Sequence, residues 1–136
     1  MSNIRIASEK DLEVVAKHDQ HITKSNLKKK IADGQLLVAE DRGVFVGWLR
    51  YGLFWDEIPF MNLLYVLEPH QNQGIGTSLV REWEKRMLDA GYDKVMTSTL
   101  EQETAQHFYR KLGYRDLGKF MPFADEFEMI MGKNLR

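Results

Sequence analysis

Gly74 and Gly76, separated by a single residue, are where this chain most clearly states its chemistry. Before them runs Asn62-Leu63-Leu64-Tyr65-Val66-Leu67, stopped by Glu68-Pro69; after them Ile75, Leu79, Trp83 and Met87 recur every four residues. The first segment reads as a buried strand and the second as an amphipathic helix, so the glycines mark a tight strand-to-helix turn. The first turn of a helix carries backbone N–H groups without intrahelical acceptors, and with the positive end of the helix dipole they attract a phosphate or another anion. Glycine lets that anion reach the backbone without meeting a Cβ. The spacing predicts a pyrophosphate cradle. Two familiar phosphate loops do not fit it. A P-loop closes on Gly-Lys-Ser or Gly-Lys-Thr, whereas Gly76 is followed by Thr77-Ser78. A dinucleotide fingerprint needs a small residue three positions beyond the second glycine, and Leu79 stands there.

The hexapeptide Gln71-Asn72-Gln73-Gly74-Ile75-Gly76 resembles the acyl-CoA signature of the GNAT superfamily of N-acyltransferases, Gln/Arg-x-x-Gly-x-Gly/Ala, at every defined position. The preceding Leu-Tyr-Val strand, the following helix and the later run Ala105-x-x-Phe108-Tyr109-x-Lys111-Leu112-Gly113-Tyr114 are similar to the same family in the same order. The resemblance is strong from about Gly34 to Tyr114 and covers the rest by element order. It implies an α/β fold with a GNAT-like mixed, mostly antiparallel central sheet and helices on both faces. Two parallel strands, Phe60 to Leu67 and Lys94 to Thr99, would splay apart. A pantetheine arm carries two amides and can act as a short substitute strand, here against the backbone of Leu64, Tyr65 and Val66. The pyrophosphate would take the amides of Gln71, Asn72, Gln73, Gly74, Ile75, Gly76 and Thr77. Gln102 stands where the family tends to place a cofactor-contacting asparagine, with the same amide on a longer arm. Tyr109 stands four residues after Ala105, where the family usually has tyrosine. The resemblance makes it a cofactor contact and the general acid that protonates the departing thiolate.

The general base is less defined. An alkyl amine is mostly protonated at neutral pH and must lose a proton before it attacks. Some members of the family use a glutamate at the position of Phe60, which cannot serve. Glu57 is a candidate, with Asp56, Glu68, Glu101, His70 and a chain of waters as alternatives. Phe54, Trp55, Asp56 and Glu57 fall in a segment, Tyr51 to Pro59, expected between strands, and suggest a cleft for a cation with an apolar body. The implied reaction is direct transfer of an acetyl group from acetyl-CoA, as co-substrate, to a primary amine of a small molecule or peptide. Its alternative is a non-enzymatic acyl-CoA-binding module, suggested by Phe60 and Gln102. A plain interaction domain would leave the glycine turn without a ligand. The chain has no cysteine, which excludes an acyl-cysteine intermediate, and His18, His21 and His107 show no ligand spacing, so no metal is expected.

The remaining sequence must position these groups. At 136 residues the chain suits a single domain, 1–136, and a net charge of −1 gives no reason to expect a nucleic acid or membrane partner. No apolar run approaches the roughly 20 residues of a membrane span, Met1 to Arg5 is not expected to begin a signal peptide, and the cytosol is the default. A homodimer is left open. Asn3 to Ala7 alternates like a strand, and Ser8-Glu9-Lys10-Asp11 forms a capping box before a helix with Leu12, Val15 and Ala16 inward. Ser25 to Ala32 reads as a second helix, whose three lysines read as a solvated face. Leu36 to Glu40 and Val44 to Leu49 flank Asp41-Arg42-Gly43 as a hairpin. Ser98-x-x-Glu101 and Thr99-x-x-Gln102 are capping patterns before a helix bearing Ala105, Phe108, Tyr109 and Leu112. Tyr114 to Gly118 and Glu126 to Met131 read as closing strands.

Overall fold

Continuous buried runs, Leu36 to Ala39 and Val46 to Leu49, form two inner strands of the sheet. The computed structural model describes residues 2–123 and 125–136, so Met1 and Ala124 lie outside the described residues. Strand β1 (Ser2–Ile6) lies antiparallel to β2 (Leu36–Asp41), which turns at Arg42 and Gly43 into β3 (Val44–Phe54). Both turn residues have positive φ, 54° and 81°, the left-handed geometry that matches the twist of a short hairpin. Strand β4 (Ile58–Val66) precedes helix α3, and β5 (Lys94–Leu100), β6 (Arg115–Phe120) and β7 (Glu128–Asn134) follow it. The strand order is β1-β2-β3-β4-β5-β7-β6, mostly antiparallel, with β4 and β5 parallel as the strand-helix-strand pattern predicts. Among the described residues, no helix is long and apolar enough to cross a membrane.

The chain divides into two compact units, Met1–Tyr51 with Leu63–Trp83 and Gly52–Asn62 with Glu84–Arg136. In the first, Ser8 N–H donates to Asp11 Oδ2 at 2.8 Å and opens a 3-10 turn that runs into α1 (Leu12–His18). Helix α2 (Lys24–Ala32) begins at Thr23, whose Oγ1 accepts from Asn26 N–H at 3.2 Å. Val15 and Leu27 are completely buried against Leu36, Val38 and Trp48, with Leu12 and Ala16 partly so. Each fully buried aliphatic side chain contributes about 1.5–3 kcal/mol, so this stripe secures both short helices.

In the second unit β5 pairs with β7 from Lys94↔Asn134 to Leu100↔Glu128, and β6 pairs with β7 across a bulge between Asp116 and Gly118. The parallel ladder holds Phe60↔Met96 and Met61↔Thr97. Helix α3 (Ile75–Asp89) spans both units and buries Ile75, Leu79, Trp83 and Met87, the predicted stripe. It ends at Gly91 (φ 102°), where Gly91 N–H donates to Leu88 C=O and Tyr92 N–H to Met87 C=O, a Schellman stop. Helix α4 (Ala105–Lys111) ends the same way at Gly113 (φ 100°).

Two expectations about local structure are corrected. Ser98 and Thr99 do not cap a helix: they lie in β5, paired with Ile130 and Met129, and α4 starts only at Ala105. The Tyr51 to Pro59 segment is not a long connection. β3 continues to Phe54 and β4 begins at Ile58, leaving a turn at Trp55 and Asp56, both left-handed (φ 57° and 60°), closed by Glu57 N–H to Phe54 C=O at 3.1 Å. The closing strands sit at 115–120 and 128–134, slightly later than their apolar alternation suggests.

Candidate active site

The glycine turn grows out of the end of β4. Leu67 N–H donates to Val46 C=O at 2.8 Å, holding the strand end to β3, and Pro69 then sits in a 3-10 turn, Glu68–His70. Gln71 Nε2–H donates back to Val66 C=O at 2.8 Å, so the first signature residue ties the turn to the strand. Asn72 (φ 64°) and Gly74 (φ 83°) are both left-handed and swing the chain into α3. Ser78 N–H donates to Gly74 C=O at 3.0 Å, which makes Gly74 the residue that precedes the helix. The amides of Ile75, Gly76 and Thr77 consequently have no intrahelical acceptor.

Gln71, Asn72, Gln73 and Gly74 are exposed, and a Cβ built on Gly74 would meet no atom within 4 Å. The first turn of α3 carries no acidic residue. Open space, free donors and the dipole of a 15-residue helix coincide here, so the residues fit a diphosphate. On the adjoining strand, Leu64 and Val66 are half-buried and Tyr65 is more exposed. The first unit thus brings together Leu64, Tyr65 and Val66 with the turn 71–77.

Tyr109 lies in the second unit, on α4. Its side chain is buried, its ring packs edge-on against Tyr114 at 5.7 Å, and it hydrogen-bonds with the Thr97 side chain. Burial pushes the phenol up to about 12, the Thr97 contact works against that, and nearby Glu103 adds to it. Thr97 Oγ1–H donates in turn to Met61 C=O at 3.0 Å, across the parallel ladder. Tyr109 is therefore held as a neutral O–H, able to donate a proton. Gln102 is exposed in the turn between β5 and α4, where Gln106 Nε2–H donates to Glu101 C=O at 2.6 Å and Glu103 C=O at 3.0 Å.

Phe54, Trp55, Asp56 and Glu57 form the tip of the β3–β4 hairpin. Trp55 is 75% exposed, and its ring lies 4.6 Å from that of Phe54. Phe60 stacks on Phe54 at 5.9 Å and offers no carboxylate. Phe54 and Trp55 border an apolar groove of about 400 Å³ with Met96, Leu117, Phe120 and Ile130. Its charged lining residues are lysines and an arginine, and the exposed Asp56 and Glu57 are not part of the lining. Thr97 and Gln106 leave no signal in the sequence, because an isolated threonine in a strand and a glutamine in a first helical turn carry no pattern of their own.

A family model described as the acetyltransferase (GNAT) family matches residues 4–114. An uncharacterized N-acetyltransferase from Chlorobaculum tepidum is 28% identical over 94 residues, 69% of this chain, and the chain spans only 57% of that relative. Among solved structures, the ribosomal-protein-S18-alanine N-acetyltransferase from Escherichia coli superposes with a TM-score of 0.83 at 16% identity, covering 99% of this chain and 94% of that one. A putative acetyltransferase from Salmonella typhimurium with its cofactor acetyl-CoA has a TM-score of 0.81 at 18% identity, covering 100% and 95%. Ard1 from Thermoplasma volcanium reaches a TM-score of 0.85 at 17% identity, covering 98% and 97%. At these identities the structural likeness concerns the fold.

Proposed function

The chain belongs to the acetyltransferase (GNAT) family, and from that membership we propose that it is a single-domain enzyme transferring an acetyl group directly from acetyl-CoA to a primary amine of a small molecule or peptide. The observation that carries this reading is the turn at Gly74, open to solvent and leading into the free amides of α3. In it, residues 71–77 hold the diphosphate through backbone N–H groups, and the backbone of Leu64, Tyr65 and Val66 receives the pantetheine amides. Bound there, acetyl-CoA supplies the acyl group as a thioester. Tyr109 then donates the proton that the leaving thiolate needs, a role that suits a phenol kept neutral by burial. Gln102 contributes a side-chain amide on the cofactor side. Glu57 remains a candidate for deprotonating the amine, and the hairpin residues Phe54, Trp55 and Asp56 for contacting it.

Phe60 favours a second reading, an acyl-CoA-binding module without turnover, because it leaves the strand with no carboxylate at that point. Thermal denaturation with CoA, acetyl-CoA and ATP tests both. A ligand that binds only the folded state at 100 times its dissociation constant adds about 2.7 kcal/mol of stability. The two CoA compounds are expected to stabilise the protein and ATP much less. Gly76→Glu should abolish the shift without lowering the unliganded midpoint, since a carboxylate would occupy and repel the phosphate position. No shift with either CoA compound would sink both readings. Binding without CoA release in a broad amine screen would select the module over the enzyme.

A further inference from the structure

The acyl-transfer reading leaves open what holds the amine and what removes its proton. Within the first unit a cavity of about 330 Å³ is lined by His18, Asp19, His21, Trp48, Tyr65 and Glu68. Asp19 is buried and fully paired. Arg50 Nε–H donates to its Oδ2 at 3.0 Å, Trp48 Nε1–H to the same oxygen at 3.1 Å, and His21 N–H to Oδ1 at 3.1 Å. These bonds fix the loop after α1, and the Arg50 charge neutralises that of Asp19. Glu68, by contrast, has no ion-pair partner among the described residues, and neither imidazole has a hydrogen-bond partner there. The His18 ring lies flat on Phe45, with centroids 5.7 Å apart and planes at 20°, which fixes the ring plane. Trp48 and Tyr65 form an aromatic wall with centroids 5.4 Å apart. Because side chains alternate along a strand, Leu63, Tyr65 and Leu67 face the cavity together. Tyr65 thus serves the cavity with its ring while its backbone belongs to the strand end assigned to the acyl donor.

We propose, resting on the acyl-transfer reading, that this cavity binds a small primary amine with a flat apolar body and that His18 is its general base. Trp48 and Tyr65 take the apolar body, and Glu68 offsets the ammonium charge. The ammonium gives one proton to a His18 ring nitrogen. The imidazole then passes that proton to water before the next turnover. The freed lone pair attacks the thioester carbonyl carbon, the C–N bond forms and the C–S bond breaks. The nitrogen sheds a second proton, which balances the one delivered to the thiolate. Ammonium and thioester become amide, thiol and one released proton.

Calorimetric titration of the full chain with 2-phenylethylamine, 2-phenylethanol and phenylacetate tests the cavity without any acyl donor. The amine is expected to bind at least roughly tenfold more tightly than the alcohol, and the anion not at all. Glu68→Gln should weaken amine binding by a similar factor while CoA affinity stays unchanged, which also shows that the variant folds. His18→Gln should leave CoA affinity in place and lower kcat, and imidazole added to the assay should restore part of the lost rate. Equal binding of all three compounds, or an undiminished kcat in His18→Gln, would overturn the proposal. Loss of amine binding in Trp55→Ala but not in Glu68→Gln would move the acceptor to the hairpin and overturn it as well. A protein that binds the amine but not CoA would instead defeat the acyl-transfer reading alone.

Discussion

At Tyr109, local environment decides which way a proton can move. Burial pushes the phenol up to about 12, so across the neutral range the oxygen keeps its hydrogen and can act as an acid, not as a base. Tyr109→Phe preserves the ring contacts with Phe108 and Tyr114 and removes only the hydroxyl that meets Thr97. Stability should fall by about 1 kcal/mol, the ordinary net worth of one hydrogen bond. The rate should fall much further, by roughly 10²- to 10⁴-fold in kcat, with little change in KM, because the proton is needed in the transition state. Steady-state kinetics on the best amine found checks this. The pH profile should keep its shape while losing height, since the phenol does not titrate within the neutral range. An undiminished kcat would assign the proton to solvent. The family resemblance at Ala105-x-x-Phe108-Tyr109 is what singles out Tyr109 in the sequence; its partner Thr97 carries no such signal, because their contact is made by the fold.

At the scale of elements, β3 and β4 approach so closely at Gly47 that a Cβ there would lie 2.8 Å from Tyr65 O and 3.4 Å from Val66 Cα. Backbone atoms cannot swing aside as a side chain would. Gly47→Ala should therefore force the strands apart and cost about 1–3 kcal/mol, measurable by urea denaturation. CoA affinity should fall with it, because the displaced residues are those assigned to the pantetheine. Gly118→Ala is the control, since a Cβ at Gly118 meets nothing within 4 Å. If Gly47→Ala matches the wild type in both respects, the strand end tolerates more movement than this contact allows. Elements with strong local signals were legible in advance: the four-residue apolar repeat of α3 and the glycine stops at Gly91 and Gly113 all stand where the sequence places them. The capping pattern at Ser98 and Thr99 misled because the same residues suit a strand, and the long ladder with β7 decides between the two. The Trp55-Asp56 turn was illegible for another reason. Left-handed turn positions normally announce themselves with glycine or asparagine, and here a tryptophan and an aspartate adopt them. The Asp19–Arg50 pair that shapes the proposed amine cavity spans 31 residues and leaves no trace in local spacing.

For the whole molecule, 19 basic against 20 acidic side chains leave a net charge of −1, so no large self-repulsion sets its response to pH. That response must come from groups the fold perturbs, and Asp11 is the clearest. Arg5 donates to it through Nη1 at 2.8 Å and Nη2 at 2.9 Å, and Ser8 N–H donates at 2.8 Å, while Arg5 Nε–H reaches Glu40 at 3.0 Å. One guanidinium thereby joins β1 to the start of α1 and to β2. The Arg5 hydrogen bonds hold the Asp11 carboxyl below its ordinary value, aided by Ser8 N–H and opposed by burial. Arg5 itself is shifted upward and stays charged throughout. The folded protein accordingly binds fewer protons at Asp11 than the unfolded chain does, and stability rises with pH in that window. The contribution is complete above the ordinary aspartate value of about 4 and disappears as pH falls through the lower folded value. Asp11→Asn should cost roughly 1.5–3 kcal/mol at neutral pH, the range for hydrogen bonds to charged groups. Its deficit relative to the wild type, measured by urea unfolding at successive pH values, should shrink steadily below about pH 4. A deficit that stays constant into strong acid would assign the loss to packing around β1 and α1 and remove the Arg5–Asp11 pair as a source of acid sensitivity.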